Sequence, residues 1–345
     1  MNKNFRLSDK IYIIAEICSN HNGDMNLAFK LIDEAKKAGC DCVKFQSWDR
    51  DLFSEKVYKN NSFLDDGREL DGSLEEQVKK YALSFKELSK LRDYCKNINI
   101  DFASSVFTPK QLQELISLQP AFIKIASMDL NYDLLITKVG LSGYPTIIST
   151  GLSDFKEVEH AVKTFEATKN DQLILLHCKA VYPPSDELTD LNNIDLLKEN
   201  FNYSIGFSDH SVGIDIPIAS FGRGAEVFEK HFTLDKKMEG WDHANSATPE
   251  EMKQIVQAAK RIPLALGKKE RSVFEEELLM RRAFRRSIVA KHEIKRGQKI
   301  TLEMLDFKRP GTGLEPNNYS TLLGKIADKD IQKDEMISYD NIKKD

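Results

Sequence analysis

Residues 101–127 read DFASSVFTPKQLQELISLQPAFIKIAS, and they hold one strand–helix–strand unit. Asp101–Val106 and Phe122–Ala126 are short runs rich in Phe, Val, Ile and Ala, as strands buried on both faces are. Between them Thr108-Pro109 is a helix N-cap followed by proline at the first helical position, with Leu112, Leu115 and Ile116 on one face. Two strands joined by one helix read as a parallel pair.

The same alternation extends outward in both directions. Upstream lie Ile11–Ile17 and Asp41–Gln46, and downstream Thr146–Ser149, Gln172–Cys178, Tyr203–Phe207 and Ala225–His231. Helical signals separate them. Gly39 closes the segment carrying Leu27, Leu31 and Ala35, and Val158, Val162 and Phe165 repeat at helical spacing after Ser153. Thr248-Pro249-Glu250-Glu251 forms a capping box. Eight strand-then-helix units predict an α/β fold, a parallel (β/α)8 TIM barrel over residues 1–265. The alternative, an open doubly wound sheet, calls for a glycine-rich phosphate turn after the first strand, and none stands there. Residues 266–283 read as a charged helical linker. Residues 284–345 read as a small, mildly basic domain with short strands at Ser287–Ala290 and Leu305–Lys308.

Bulk properties remove several function classes. A composition 41% hydrophobic and 30% charged suits a globular chain with a large core, and a formal charge of −4 gives no basis for nucleic-acid binding. No apolar run reaches the roughly 18 residues of a membrane span, and Met1–Lys10 is too polar for a secretory signal. Five cysteines, Cys18, Cys40, Cys42, Cys95 and Cys178, lack paired CxxC spacing and read as reduced thiols of a cytoplasmic protein. Cys40 and Cys42 read as core residues.

In a barrel, chemistry gathers where the strands end at their carboxyl termini. Here those ends are polar: Glu16 and the stretch Ser19–Gly23; Lys44 and Gln46; Ser104 and Ser105; Lys124 and Ser127; Ser149-Thr150-Gly151; His177, Cys178 and Tyr182; Ser208-Asp209-His210; and Glu229-Lys230-His231. A buried unpaired charge costs several kcal/mol, so convergence on a shared polar site is the economical account. Lys44 and Lys124, with Ser105, Ser127, Ser149, Thr150 and Gly151, suit a small ligand bearing phosphate and carboxylate. His210 and His231 end neighbouring strands and suit a divalent metal with open positions. His21, His177 and His243 are weaker candidates, and His160 and His292 read as surface residues.

At this point the chain resembles the sialic acid synthase family, of the bacterial N-acetylneuraminate synthase type. The resemblance runs through Ala15-Glu16-Ile17, Asn20-His21-Asn22-Gly23-Asp24, Val43-Lys44-Phe45-Gln46, Ile123-Lys124-Ile125-Ala126-Ser127, Ile148-Ser149-Thr150-Gly151, His177-Cys178 with Tyr182-Pro183, Gly206-Phe207-Ser208-Asp209-His210 and Glu229-Lys230-His231-Phe232. The tail, through Arg286-Ser287 and Lys308-Arg309-Pro310-Gly311, resembles that family's antifreeze-like (SAF) domain.

The resemblance implies condensation of phosphoenolpyruvate with an N-acetylmannosamine-like aldehyde and water. The product is a nine-carbon 2-keto-3-deoxy sugar acid plus phosphate. It implies phosphoenolpyruvate on Lys44, Ser105, Lys124, Ser127, Ser149, Thr150, Gly151 and Ser208. Glu16 and Glu229 would be catalytic, and Gln46, Tyr182, Asp242 and Arg309 would hold the sugar. Manganese or magnesium would sit on His210 and His231. It further implies a domain-swapped homodimer in which Arg309 serves the partner's site. Three stretches depart from the family pattern: after the third strand a serine-threonine-proline-phenylalanine run reads Ser104-Ser105-Val106-Phe107, which keeps the hydroxyl, and two loops further on change as well. Ala180 replaces an asparagine, and Gly-Pro-Asp-His-Lys-Ala-Ser reads Gly240-Trp241-Asp242-His243-Ala244-Asn245-Ser246. Both loops are expected to touch the sugar, which opens the alternative of a 2,4-diacetamido substrate, as in legionaminic or pseudaminic acid synthesis. A third reading is a sugar-binding barrel without catalysis.

Overall fold

The structure, a computed structural model, describes residues 5–56 and 73–343. Its eight parallel strands close into a barrel in sequential order, which excludes the open sheet. They are β1 (Tyr12–Glu16), β2 (Cys42–Gln46), β3 (Asp101–Ser105), β4 (Ile123–Ile125), β5 (Thr146–Ser149), β6 (Leu173–Cys178), β7 (Ser204–Asp209) and β8 (Val227–His231). All eight lie within a residue or two of the runs read from sequence.

The helices form where their local signals stand. Thr108 Oγ1 caps Pro109–Ser117, and Gln111 answers from the third position. Thr248 and Glu251 do the same for Pro249–Leu266. Gly39 ends Met25–Ala38 at φ 95°, a left-handed conformation that costs glycine little.

Strand alternation sorts the residues into two cores. Ile13, Ala15, Val43, Phe45, Ile125, Ile148, Leu175, Phe207 and Phe228 face outward and pack under the helices. Tyr12, Ile14, Cys42, Ala103, Phe122, Ile147, Ile174, Leu176 and Val227 face inward and plug the lower barrel. Cys40 belongs to the outer core and Cys42 to the inner one. Above that plug the same inward rows turn polar, which creates the site.

Two compact units divide the chain at Gly267, with Lys268–Asp345 as the second. In it β9 (Ser287–Ala290) and β10 (Leu305–Lys308) pair antiparallel over a core of Ile288, Ile294, Ile300, Leu322, Ile331 and Ile337. The helix Glu275–Phe284 buries none of its residues within this unit. Among the described residues no helix is long and apolar enough to cross a membrane.

Candidate active site

The upper inward rows are brought together by register. Glu16 stands opposite Lys44 on one side and His231 on the other. Gln46 stands opposite Ser105, Ser105 opposite Lys124, and Ser208 opposite Glu229. Each pair lies one strand apart, so the side chains share one opening.

Glu229 is the centre of this cluster. Its Oε1 accepts a 3.0 Å hydrogen bond from Ser208 and lies 3.7 Å from Lys124 Nζ, while its Oε2 lies 3.7 Å from Lys44 Nζ. Burial raises the Glu229 pKa, but Lys124 and Lys44 outweigh it and hold the carboxyl well below its usual range. Lys44 also contacts Glu16 and donates to Ser105 Oγ at 3.1 Å, and Lys124 donates to Ser149 Oγ at 2.7 Å. Burial draws the Lys44 ammonium down to about 7, against the pull of Glu229. The lysines thus have carboxylate partners, yet those partners belong to the same opening.

The anion-side hydroxyls divide. Ser127 Oγ accepts from the Gly151 amide at 3.2 Å and stands 3.0 Å from Cys178 Sγ. A Cβ on Gly151 would come within 2.9 Å of both Ser127 Oγ and Cys178 Sγ, so only glycine fits that turn. Thr150 differs from the expectation: its amide and its hydroxyl both donate to Leu176 O, at 3.0 and 3.1 Å, and are spent on the backbone.

His210 and His231 stand with ring centroids 5.5 Å apart, and Tyr182 packs 4.2 Å from His210. His210 Nδ1 donates to Lys179 O at 2.7 Å, which leaves Nε2 as its lone-pair nitrogen. His231 Nδ1 is buried without a hydrogen-bond partner among the described residues. Burial lowers both pKa values, His210 to about 3, so both rings are neutral. Neutral, buried, under-bonded imidazoles fit a divalent metal. Asp242, expected on the sugar, lies 3.9 Å from His231 Nδ1 and accepts from Ser19 Oγ at 2.7 Å.

Other polar strand-end residues face away from the opening. Lys230 and Asp209 form a buried ion pair on the outer face, and His177 stacks on Phe207 and bonds Thr189 O. Ser104 Oγ donates to Phe45 O. His243 Nδ1 pairs with Thr233 Oγ1. Arg309 lies in the second unit, where its Nε donates to Phe284 O.

Three features escaped the sequence reading. Cys18 Sγ, a His231 nitrogen and an Asp242 oxygen all lie within 4.8 Å of one another. Asp129, just past β4, keeps a buried Oδ2 without a partner among the described residues, and burial pushes its pKa to about 6. Trp48, Phe107, Tyr81 and Trp241 form an aromatic wall, with Trp241 5.6 Å from Trp48 and 4.9 Å from Tyr81. Position just after a strand end was the available signal for Cys18 and Asp129.

Residues 31–271 match the NeuB family and residues 285–343 the SAF domain. The N,N'-diacetyllegionaminic acid synthase of Legionella pneumophila is 34% identical, over 96% of this chain and 94% of its own. A pseudaminic acid synthase of Campylobacter jejuni is 35% identical, over 95% and 96%. The crystal structure of N-acetylneuraminic acid (sialic acid) synthetase from Leptospira borgpetersenii in complex with citrate superposes with a TM-score of 0.70. It is 32% identical over 79% of this chain and 90% of that one. A barrel with this ring of inward polar residues, followed by a SAF domain, belongs to the NeuB family.

Proposed function

We propose that the chain is a nonulosonate synthase. In this reading it joins phosphoenolpyruvate to an amino-sugar aldehyde, with water, to give a nine-carbon 2-keto-3-deoxy acid and phosphate. One observation carries the proposal: Glu229 lies 3.7 Å from both buried lysines in the same opening as two under-bonded histidines. The synthase names of the relatives support it.

The ammoniums of Lys44 and Lys124 take the carboxylate and phosphate of phosphoenolpyruvate, with Ser105, Ser127, Ser149 and the Gly151 turn around them. The incoming anion replaces Glu16 and Glu229 as the nearest negative charge. The substrate's methylene carbon forms a bond to the aldehyde carbon, and the aldehyde oxygen gains a proton. Water adds to the second carbon of phosphoenolpyruvate, and the carbon–oxygen bond to phosphate breaks as the ketone forms. Glu229, ionised between the lysines, accepts the first proton of that water, which balances the proton gained by the aldehyde oxygen, and the departing phosphate carries off the second as the ketone forms. His210 and His231, with Asp242 beside them, would hold a divalent cation, manganese or magnesium by resemblance, which when bound supplies Lewis-acid polarisation of the aldehyde. Gln46 and Tyr182 border the sugar.

The aromatic wall favours a second reading of the substrate. Trp48 Nε1 is a buried donor without a partner among the described residues, set in an apolar surround that suits an extra acetamido group. A 2,4-diacetamido sugar, as in legionaminic or pseudaminic acid synthesis, fits that wall better than N-acetylmannosamine. We place the reaction in the cytoplasm, in keeping with five unpaired cysteines. We assign it to a homodimer that swaps the SAF domain and delivers Arg309. Exposed Phe274, Leu279, Met280 and Phe284 on or beside a helix that buries nothing support this partner.

The test is phosphate release from phosphoenolpyruvate with N-acetylmannosamine, its 2,4-diacetamido relatives and phosphorylated sugars, with and without manganese, and mass-spectrometric identification of the product. Turnover that needs both metal and a non-phosphorylated amino sugar is expected. Failure with every amino sugar overturns the reading.

A further inference from the structure

Cys18 follows β1, and its buried thiol stands with His231 and Asp242 in one cluster whose donor atoms all lie within 4.8 Å of each other. The cluster brings sulfur, nitrogen and oxygen together from distant parts of the chain. A second observation points to a ligand there. His231 Nδ1, 3.9 Å from Asp242 Oδ2, is buried with no hydrogen-bond partner among the described residues. Supporting bonds already orient the set: Ser19 Oγ donates to Asp242 at 2.7 Å, and Lys179 O holds the neighbouring His210 at 2.7 Å. Donors sharing one zinc ion stand roughly 3.3–3.8 Å apart, given bonds of about 2.0–2.3 Å. A contraction of about 1 Å therefore closes the cluster around an ion.

We propose that Cys18 is a metal ligand, and that Cys18, His231 and Asp242 make a sulfur–nitrogen–oxygen centre that prefers zinc, iron(II) or cobalt(II) to manganese or magnesium. Thiolate favours the softer, later ions of the divalent series, whereas imidazole and carboxylate alone discriminate less. The inference deepens the proposed function and rests on its placing of a metal at His231.

The test uses the full-length protein, stripped of metal and titrated with cobalt(II), alongside Cys18→Gly, Cys18→Ser and His231→Ala. Cys18 has φ 45°, a conformation glycine adopts freely, so Cys18→Gly leaves the backbone unstrained. The expected result is a near-ultraviolet thiolate-to-cobalt charge-transfer band in the original protein that both Cys18 variants lack. Competition between zinc and manganese, followed by the free manganese signal in electron paramagnetic resonance, should show the zinc preference falling at least about tenfold in Cys18→Gly. If the original protein binds cobalt without that band, and Cys18→Gly keeps the same preference while His231→Ala loses binding, the thiol ligation is overturned and the histidine site stands. If cobalt binds to neither the original protein nor its variants, the histidine site falls as well.

Discussion

Lys230 and Asp209 pair on the outer face of the barrel wall, side chains 1% and 0% exposed, while their chain neighbours His231 and His210 turn into the opening. Lys230 also donates to Ser211 O at 2.6 Å, and Asp209 accepts from the Ser211 amide at 2.9 Å. The pair clamps the ends of β7 and β8, and so fixes the spacing of the two histidines. Lys230→Met leaves a buried carboxylate unpaired and should cost about 3–5 kcal/mol in urea unfolding. Lys230→Met with Asp209→Leu should recover much of that loss. A double variant no more stable than the single would show that the pair's charges are not what matters.

Glu229 gives the sharpest test of the chemistry. Glu229→Gln keeps the shape and the Ser208 contact but removes the negative charge 3.7 Å from Lys44 and Lys124. Phosphoenolpyruvate, itself an anion, should then bind as well or better, since the lysines lose a competing carboxylate. Turnover should fall about 10²–10⁴-fold with the loss of a proton acceptor. Calorimetric titration of the ligand and steady-state rates separate the two effects. A near-normal kcat would remove Glu229 from the mechanism.

The barrel was legible because strands covered on both faces leave apolar runs, and because Thr108, Thr248 and Gly39 mark helix ends locally. The site was legible in its strand-end rows, where Glu16, Lys44, Lys124, Glu229 and His231 stand out against Val, Ile and Phe. What sequence position hid was facing. Asp209, Lys230, Ser104 and His177 share the strand ends but point outward, a one-residue difference that reverses the role. Thr150 kept the expected residue type, yet Leu176 O takes both its donors. Cys18 carried no spacing signal, since its companions lie at positions 231 and 242 and meet only when the barrel closes.

Acid should weaken the fold through its buried imidazoles. Burial lowers the pKa of His21 to about 4 and of His210 to about 3, and it lowers His177, His231 and His243 as well. In the unfolded chain these groups take up protons near 6.5, before the folded protein does. Their contribution is therefore fully present above about pH 6.5 and is lost as pH falls toward the folded values. For His21 alone the loss by pH 5 is about 2 kcal/mol. Stability from urea unfolding should decline between pH 7 and 5, with a shallower decline in His21→Asn, whose side chain can still accept from the Gly23 amide. Equal slopes in both proteins would show that His21 is not protected from protonation.

Trp241 stands where the family pattern has proline, and it packs against Trp48 and Tyr81 at 5.6 and 4.9 Å. Its neighbour Asp242 reaches the histidine side of the opening, and in the proposed reading the indole borders the approach of the aldehyde. A single methylene gained or lost in a hydrophobic pocket is worth about 1–3 kcal/mol of discrimination, or roughly 10–200-fold, and the methyl of an acetamido group against an aromatic face is taken on that scale. Trp241→Pro should lower kcat/KM for a 2,4-diacetamido sugar by at least about tenfold while changing that for N-acetylmannosamine far less. In the proposed reading phosphoenolpyruvate binds through Lys44 and Lys124, so its binding should hold constant, which separates a lost sugar contact from a damaged barrel. If both sugars lose equally while phosphoenolpyruvate binding is intact, the aromatic wall shapes the loop without reading the sugar, and the preference for a diacetamido substrate loses its structural support.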